Sequence, residues 1–257
     1  MSSKPVFVLV PGASMNPTHY AYLTHLLNLA AYPTFSALLP SVGATAPVTA
    51  SDDAAYVRDR MILPVLDIEE RDVILVSHSY SGIPASAAAA GLSKKERVQQ
   101  GKKTGVLGQV YLAAILVKGG DGGNVVGAFG GGYPPHIRAD PEANLLRCDD
   151  RIRPLFHDVV PQQLADVAAV SAMAQGMTSF TSPCPRATWD SEYAGRVAYI
   201  RTTKDAAIPL QVQQMMIDGT GVDWIVRDLE CSHSAQIAQP EKLRDVLMEL
   251  AGFFETP

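Results

Sequence analysis

Short, wholly apolar runs recur along this chain, each cut off by small or helix-breaking residues and followed by a stretch with helical spacing. That alternation restricts the fold more than any other feature. VFVLV (residues 6–10) stops at Pro11-Gly12, and VILV (residues 73–76) stops at Ser77-His78-Ser79-Tyr80-Ser81. VLGQVYLAAIL (residues 106–116) and residues 35–39, 197–201 and 223–227 read as further strands. Between them the spacing predicts helices over residues 18–31, 51–66, 81–92, 209–216 and 240–254, the second opened by Ser51-Asp52-Asp53 and bent by Pro64. Strands apolar at every position are covered on both faces, and strand–helix–strand order makes neighbouring strands parallel. The expected class is α/β, a mostly parallel sheet flanked by helices.

One segment breaks the rhythm. Residues 117–190 hold no clear strand, only GGDGGNVVGAFGGGYPPH and short helical pieces such as residues 161–175. Long structureless loops are uncommon inside compact domains. An insertion between core strands, dotted with aromatic and methionine residues, is expected to form a cap over a pocket. The domain reading is thus a core of residues 1–116 and 191–257 interrupted by a cap of residues 117–190. A second stretch, GLSKKERVQQGKKTG, gathers Lys94, Lys95, Arg97, Lys102 and Lys103 and is read as a solvated helix end and turn.

Composition narrows the function classes. The chain has 257 residues, 47% of them apolar and 18% charged, as compact globular proteins do. A net charge of −5 offers no electrostatic footprint for nucleic acid or an acidic membrane. The three cysteines, Cys148, Cys184 and Cys231, match no zinc spacing and fit a reducing compartment. No stretch approaches the ~20 apolar residues of a membrane helix, and the apolar run near the start is too short for a signal peptide. The expectation is a soluble cytoplasmic protein, monomer or homodimer, acting on a small molecule without metal or organic cofactor.

The chemistry begins at Ser79. Small-x-Ser-x-small between a strand and a helix holds its central residue on a strained turn, where bulky neighbours two positions away would clash. A serine hydroxyl needs a base. Of six histidines, His19 and His25 fall in the first helix and read as satisfied, partly buried imidazoles. His136 and His157 fall in the insertion, and His78 points away from Ser79 on such a turn. His233, in ECSHSAQIAQPEKL after the last strand, arrives at the edge where the elbow lies and is the expected base. Asp205, in VAYIRTTKDAAIP, is the expected acid, with Asp121 in the glycine-rich loop as the alternative. The expected oxyanion donors are the N–H groups of Tyr80, which follows the nucleophile, and Ala13, in the turn VPGAS; Pro11 has no N–H. Met15 and Tyr80, with the insertion residues Tyr133, Phe156, Met173, Met177, Phe180 and Trp189, are the candidates for an apolar substrate pocket.

These motifs resemble the α/β-hydrolase superfamily, in the branch that includes plant methylesterases and hydroxynitrile lyases. FVLVPGA is similar to the family's FVLVHGA, and LVSHSYSG to its LVGHSYGG; YIRTTKDAAIP and SHSAQIAQPEKL resemble its acid and histidine segments. The resemblance covers both ends of the core and little of the insertion. It implies an α/β-hydrolase fold with a lid, Ser79 as nucleophile, Asp205 as acid, His233 as base, and Ala13 and Tyr80 as oxyanion donors. Three positions depart from the pattern. Pro11 replaces the family's histidine, and Ser234 and Gly12 stand where the lyases carry lysine and threonine. Without the lysine, hydrolysis of a carboxylic ester or lactone is favoured over cyanohydrin cleavage. A carbon–carbon bond hydrolase or lyase acting on a diketone, and a slow-turnover receptor-like binder, remain the alternatives.

Overall fold

A computed structural model describes residues 4–256. Strands β1 (Val6–Val10), β2 (Thr34–Ser36), β3 (Val73–His78) and β4 (Val106–Leu112) come first in the chain. Three short strands follow, β5 (Arg138–Asp140), β6 (Leu145–Arg147) and β7 (Gln175–Gly176), and then β8 (Val197–Thr202) and β9 (Ile225–Leu229). The main sheet has the order β2-β1-β3-β4-β8-β9, and every neighbouring pair is parallel. This is the mostly parallel α/β sheet expected from the alternating pattern.

The run VFVLV shows why. Val6, Val8 and Val10 enter one core and Phe7 and Leu9 the other, because successive side chains of a strand point to opposite faces. On one face lie α2 (Ala50–Tyr56), α3 (Leu63–Asp67) and α4 (Gly82–Ala88), and on the other α1 (Ala21–Leu29) and the C-terminal helix Pro240–Glu255. Helix α2 starts earlier than expected: Thr49 is the N-cap, its hydroxyl accepting from Asp52 N–H. Between α2 and α3 the backbone widens into a π-type stretch, Val57–Ile62, just ahead of Pro64, which has no N–H to donate.

Several expected boundaries move. The fourth strand ends at Leu112, not at residue 116, because Ala113 adopts φ 42° and turns the chain. The last strand sits two residues later than its apolar pattern placed it; it is an edge strand, half exposed, with weaker patterning. The segment between β4 and β8 does contain strands. β5, β6 and β7 form a separate antiparallel sheet, too short at two or three residues each to show a period. Helices α5 (Lys94–Gln99), α6 (Val125–Ala128), α7 (Gln162–Ser171) and α8 (Thr178–Thr181) complete the middle of the chain. After them come α9 (Leu210–Thr220), α10 (Ala235–Ala238) and α11, the C-terminal helix already described. Among the described residues no helix is long and apolar enough to cross a membrane.

Register places the site. Val10 lies opposite Ser77, His78 opposite Leu112, Leu112 opposite Ile200 and Thr202 opposite Leu229. The carboxyl ends of five strands therefore finish at one edge. The loops that leave them carry Gly12–Ser14, Ser79, Asp205 and His233 to neighbouring positions, where open parallel sheets place their sites.

Candidate active site

Ser79 follows β3 with φ 56°, in the left-handed region that costs a non-glycine residue about 1–2 kcal/mol. Neighbouring groups hold it there. Ser79 C=O accepts from Ile115 N–H at 2.9 Å. Ser81 Oγ accepts from His78 N–H and donates to Val10 C=O, both at 2.8 Å. Ser81 therefore ties the elbow to β1 by its hydroxyl, a role beyond the small size the motif requires. Crowding explains the glycines: a Cβ on Gly82 would stand 2.5 Å from Ile115 O, and one on Gly12 would stand 3.0 Å from Ser79 Cβ.

His233 is buried in the loop between β9 and α10, and its Nδ1 lies 2.7 Å from Asp205 Oδ2. Asp205 also accepts from Thr202 Oγ1 at 2.7 Å and from the N–H groups of Ala207 and Ile208 at 2.8 Å each. Burial alone would raise this carboxyl's pKa. The His233 ring, the Ile208 N–H and the Thr202 hydroxyl outweigh burial and hold it below the usual carboxylate range. Asp205 is thus the carboxylate that reaches the histidine. Asp121 is exposed and bonds Gly123 N–H within its own loop. The His233 loop is gripped from the β4–β8 excursion: Ser232 N–H donates to Asp158 and Ser232 Oγ to Leu155 C=O.

His78 lies beneath this pair. Its Nε2 bonds the His233 carbonyl at 2.9 Å, so that nitrogen carries the proton, and its Nδ1 accepts from Tyr20 OH at 2.8 Å. Burial, then the nearby His233 ring, lowers its pKa to about 3. It is neutral and fully engaged, with no nitrogen left to serve Ser79. Tyr20 OH also accepts from Gly12 N–H at 3.3 Å, bracing the turn whose Pro11 side chain has no polar atom. His19 is buried and bonds Ala168 C=O through Nε2, whereas His25 is exposed, contrary to the partly buried position expected of it.

Ser79 and His233 open into one cleft. They share it without a direct hydrogen bond, a contact that commonly tightens only when substrate is bound. Ala13 also lines the cleft, and its N–H has no acceptor among the described residues. Tyr80 is the second residue of a one-turn helix, Ser79–Ser81, where no carbonyl within the turn can take its N–H.

The cleft walls differ from the expected set. Met15 and Phe180 are in them. Tyr80 is not; its side chain is fully buried against Phe180 and hydrogen-bonded to Asp53. Tyr133, Met173 and Met177 also lie outside the wall; Phe156 is in the core beside α1, and Trp189 is in the core between Tyr111 and Trp224. Phe156 and Trp189 were drawn inward by their own apolar area. In their place stand Phe129, Pro134, His136, Ile137, Cys148 and Arg151. These six sit in an aperiodic stretch, and nothing in their spacing marks them. Partial burial, with His233 nearby, lowers the pKa of His136. Among the described residues no group of three His, Cys, Asp or Glu side chains is placed to hold a metal ion.

Comparison with known proteins places this geometry. A family model described as the alpha/beta hydrolase family matches residues 7–246. An α/β hydrolase of Aspergillus novofumigatus is 28% identical over 97% of both chains. A probable hydrolase of Phoma is 30% identical over 97% of this chain and 99% of its own. Among solved structures, a pyrethroid hydrolase superposes with a TM-score of 0.76 at 22% identity, covering 98% of this chain and 99% of that one. Folds of the expected plant branch are present too: polyneuridine aldehyde esterase (TM-score 0.71, 16% identity, 96% and 99% covered) and an Arabidopsis methylesterase (0.64, 21%, 96% and 99%). With the model matching nearly the whole sheet and every loop that feeds its carboxyl edge, this chain belongs to the alpha/beta hydrolase family.

Proposed function

We propose that the protein is a serine hydrolase that cleaves a carboxylic ester or lactone of a small, largely apolar molecule. One observation carries the reading: His233, held by Asp205 at 2.7 Å, opens into the same cleft as Ser79 on its left-handed turn. With Nδ1 of His233 bonded to the carboxylate, Nε2 is the nitrogen free to accept a proton.

In the proposed reaction Ser79 Oγ attacks the substrate carbonyl carbon while its proton passes to His233 Nε2. Asp205 stabilises the imidazolium and stays ionised. The carbonyl electrons move to oxygen, and the Ala13 and Tyr80 N–H groups bind that oxyanion, each donor contributing about 10²–10³ in rate. When the carbon–oxygen bond to the leaving group breaks, His233 gives it the proton. Water, deprotonated by the same nitrogen, then hydrolyses the acyl-enzyme and restores Ser79. Residues 117–190 act as the cap: Phe129, Ile137, Leu155 and Phe180 from that segment supply apolar wall. Position 234, where the lyases carry lysine, is serine.

A fluorophosphonate probe followed by peptide mapping tests this. Label is expected on Ser79 and is expected to be absent from folded Ser79→Ala, which also loses hydrolysis of p-nitrophenyl butyrate. Hydrolysis retained by that variant, or label on another residue, overturns the assignment.

A further inference from the structure

Ser14, next to the Ala13 donor, has φ 66°, so this turn is strained like the elbow and needs an external hold. Both of its backbone groups are gripped by one remote segment. Ser14 N–H donates to Gln175 Oε1 at 3.0 Å, and Ser14 C=O accepts from Met173 N–H at 2.8 Å. Two residues on, Asn16 Nδ2 donates to Ser171 C=O at 2.8 Å.

The Gln175 amide then continues inward. Its Nε2 donates to Ser41 Oγ at 2.7 Å and Ser179 Oγ at 2.8 Å. Ser41 donates to Asp53 through both its hydroxyl and its N–H, and Tyr80 OH donates to the same carboxylate at 2.9 Å. A single chain of contacts therefore runs from Ser14 through Gln175, Ser41 and Asp53 to Tyr80. All its side chains beyond Ser14 are buried, and every polar atom of the Gln175 amide and the Asp53 carboxylate has a partner. Its two ends are Tyr80, one of the proposed oxyanion donors, and Ser14, the neighbour of the other.

A carboxylate with 0% exposure and no countercharge among the described residues is an expensive way to fill a core, and apolar side chains would pack the same volume at less cost. A satisfied polar network does what apolar packing does not: it fixes orientation. We propose that Gln175 and Asp53 are positioning residues that hold the Ala13 and Tyr80 amides at one spacing and direction, so that an oxyanion is bound without reorganisation. This rests on the serine hydrolase reading. It also makes the hole a joint product of the core and the β4–β8 excursion, since Gln175 belongs to β7.

The test uses Gln175→Met, which keeps length and removes both polar ends, and Tyr80→Phe, which removes one hydroxyl and keeps the ring against Phe180. Active sites are counted with the fluorophosphonate, and kcat and KM for p-nitrophenyl butyrate are taken per labelled site. For Gln175→Met, kcat is expected to fall about 10- to 100-fold with KM within about twofold. Binding of an alkyl trifluoromethyl ketone, whose hemiketal oxygen occupies the hole, should weaken by the same factor. Tyr80→Phe should show the same pattern, about tenfold. If Gln175→Met does not fold, Tyr80→Phe decides. A purely structural role lowers the number of labelled sites and leaves kcat per site within twofold of wild type, which overturns the proposal. A wild-type protein that does not label at Ser79 removes the hydrolase reading, and this proposal falls with it.

Discussion

Ser79 keeps a side chain in a conformation that favours glycine, and the strain is a measurable property of the residue. At φ 56° glycine has no Cβ to crowd the backbone. Ser79→Gly is therefore expected to lose hydrolysis completely yet unfold at a higher urea concentration than Ser79→Ala, by about 1 kcal/mol. Equal stabilities would mean that the turn is relaxed with a β-carbon in place. Ser81 shows the limit of motif reading at this scale. Its size is legible from the pattern and its bond from His78 N–H is local, but its bond to Val10 C=O depends on β1 lying beside β3. The sequence led to the expectation that His78, at a strand end next to Ser79, faces away from it. The structure adds where that ring goes, under the His233 carbonyl.

At the scale of elements, long periodic segments were read well and short ones poorly. β1, apolar at every position, and the 16-residue α11 are where the pattern placed them, and β3 starts there but runs two residues further, through Ser77 and His78. The sheet of β5, β6 and β7 was invisible, since two or three residues cannot display alternation and its pairing is decided across distant chain. The basic stretch near α5 is mostly solvated, as read. Arg97 is its exception, buried with its guanidinium on Thr104 C=O and 2.6 Å from Asp67. Within the excursion, core and cleft residues respond differently to truncation. Trp189→Ala is expected to cost about 3–5 kcal/mol in a urea titration and to leave KM per active site unchanged. Phe180→Ala is expected to raise KM for apolar esters severalfold, since Phe180 lines the cleft. A Trp189→Ala protein of normal stability with altered KM would return that residue to the cleft.

Across the whole molecule, the buried histidine beneath the site sets a response to acid. His78 has a folded pKa of about 3, against about 6.5 for an unperturbed histidine. Between those values the unfolded chain binds a proton that the folded chain does not. Its contribution to stability is therefore complete above about pH 6.5 and is lost as the pH falls, at about 1.4 kcal/mol per unit. Asp205, with its folded pKa below the ordinary carboxylate value, loses its contribution in the same direction but at lower pH. Urea titrations from pH 7 to pH 4.5 should show falling stability for the wild type. His78→Gln, although weaker at pH 7, should show a shallower slope; equal slopes would place the acid response elsewhere.

Chain order and local pattern were enough to specify the parallel sheet, the elbow at Ser79, and the loops that bring Asp205 and His233 to the same edge. Those features depend on neighbours a few residues apart, and side-chain periodicity and turn sterics act at that range. The cleft wall, with His136 and Arg151 in it and Trp189 outside it, was decided only by packing. So was the buried chain from Ser14 through Gln175, Ser41 and Asp53 to Tyr80. Gln175 meets Ser14 across 161 positions of sequence and Ser41 across 134. A contact at that separation exists only once the sheet has formed and the excursion has folded onto it, and no local pattern of residues encodes which side chain arrives.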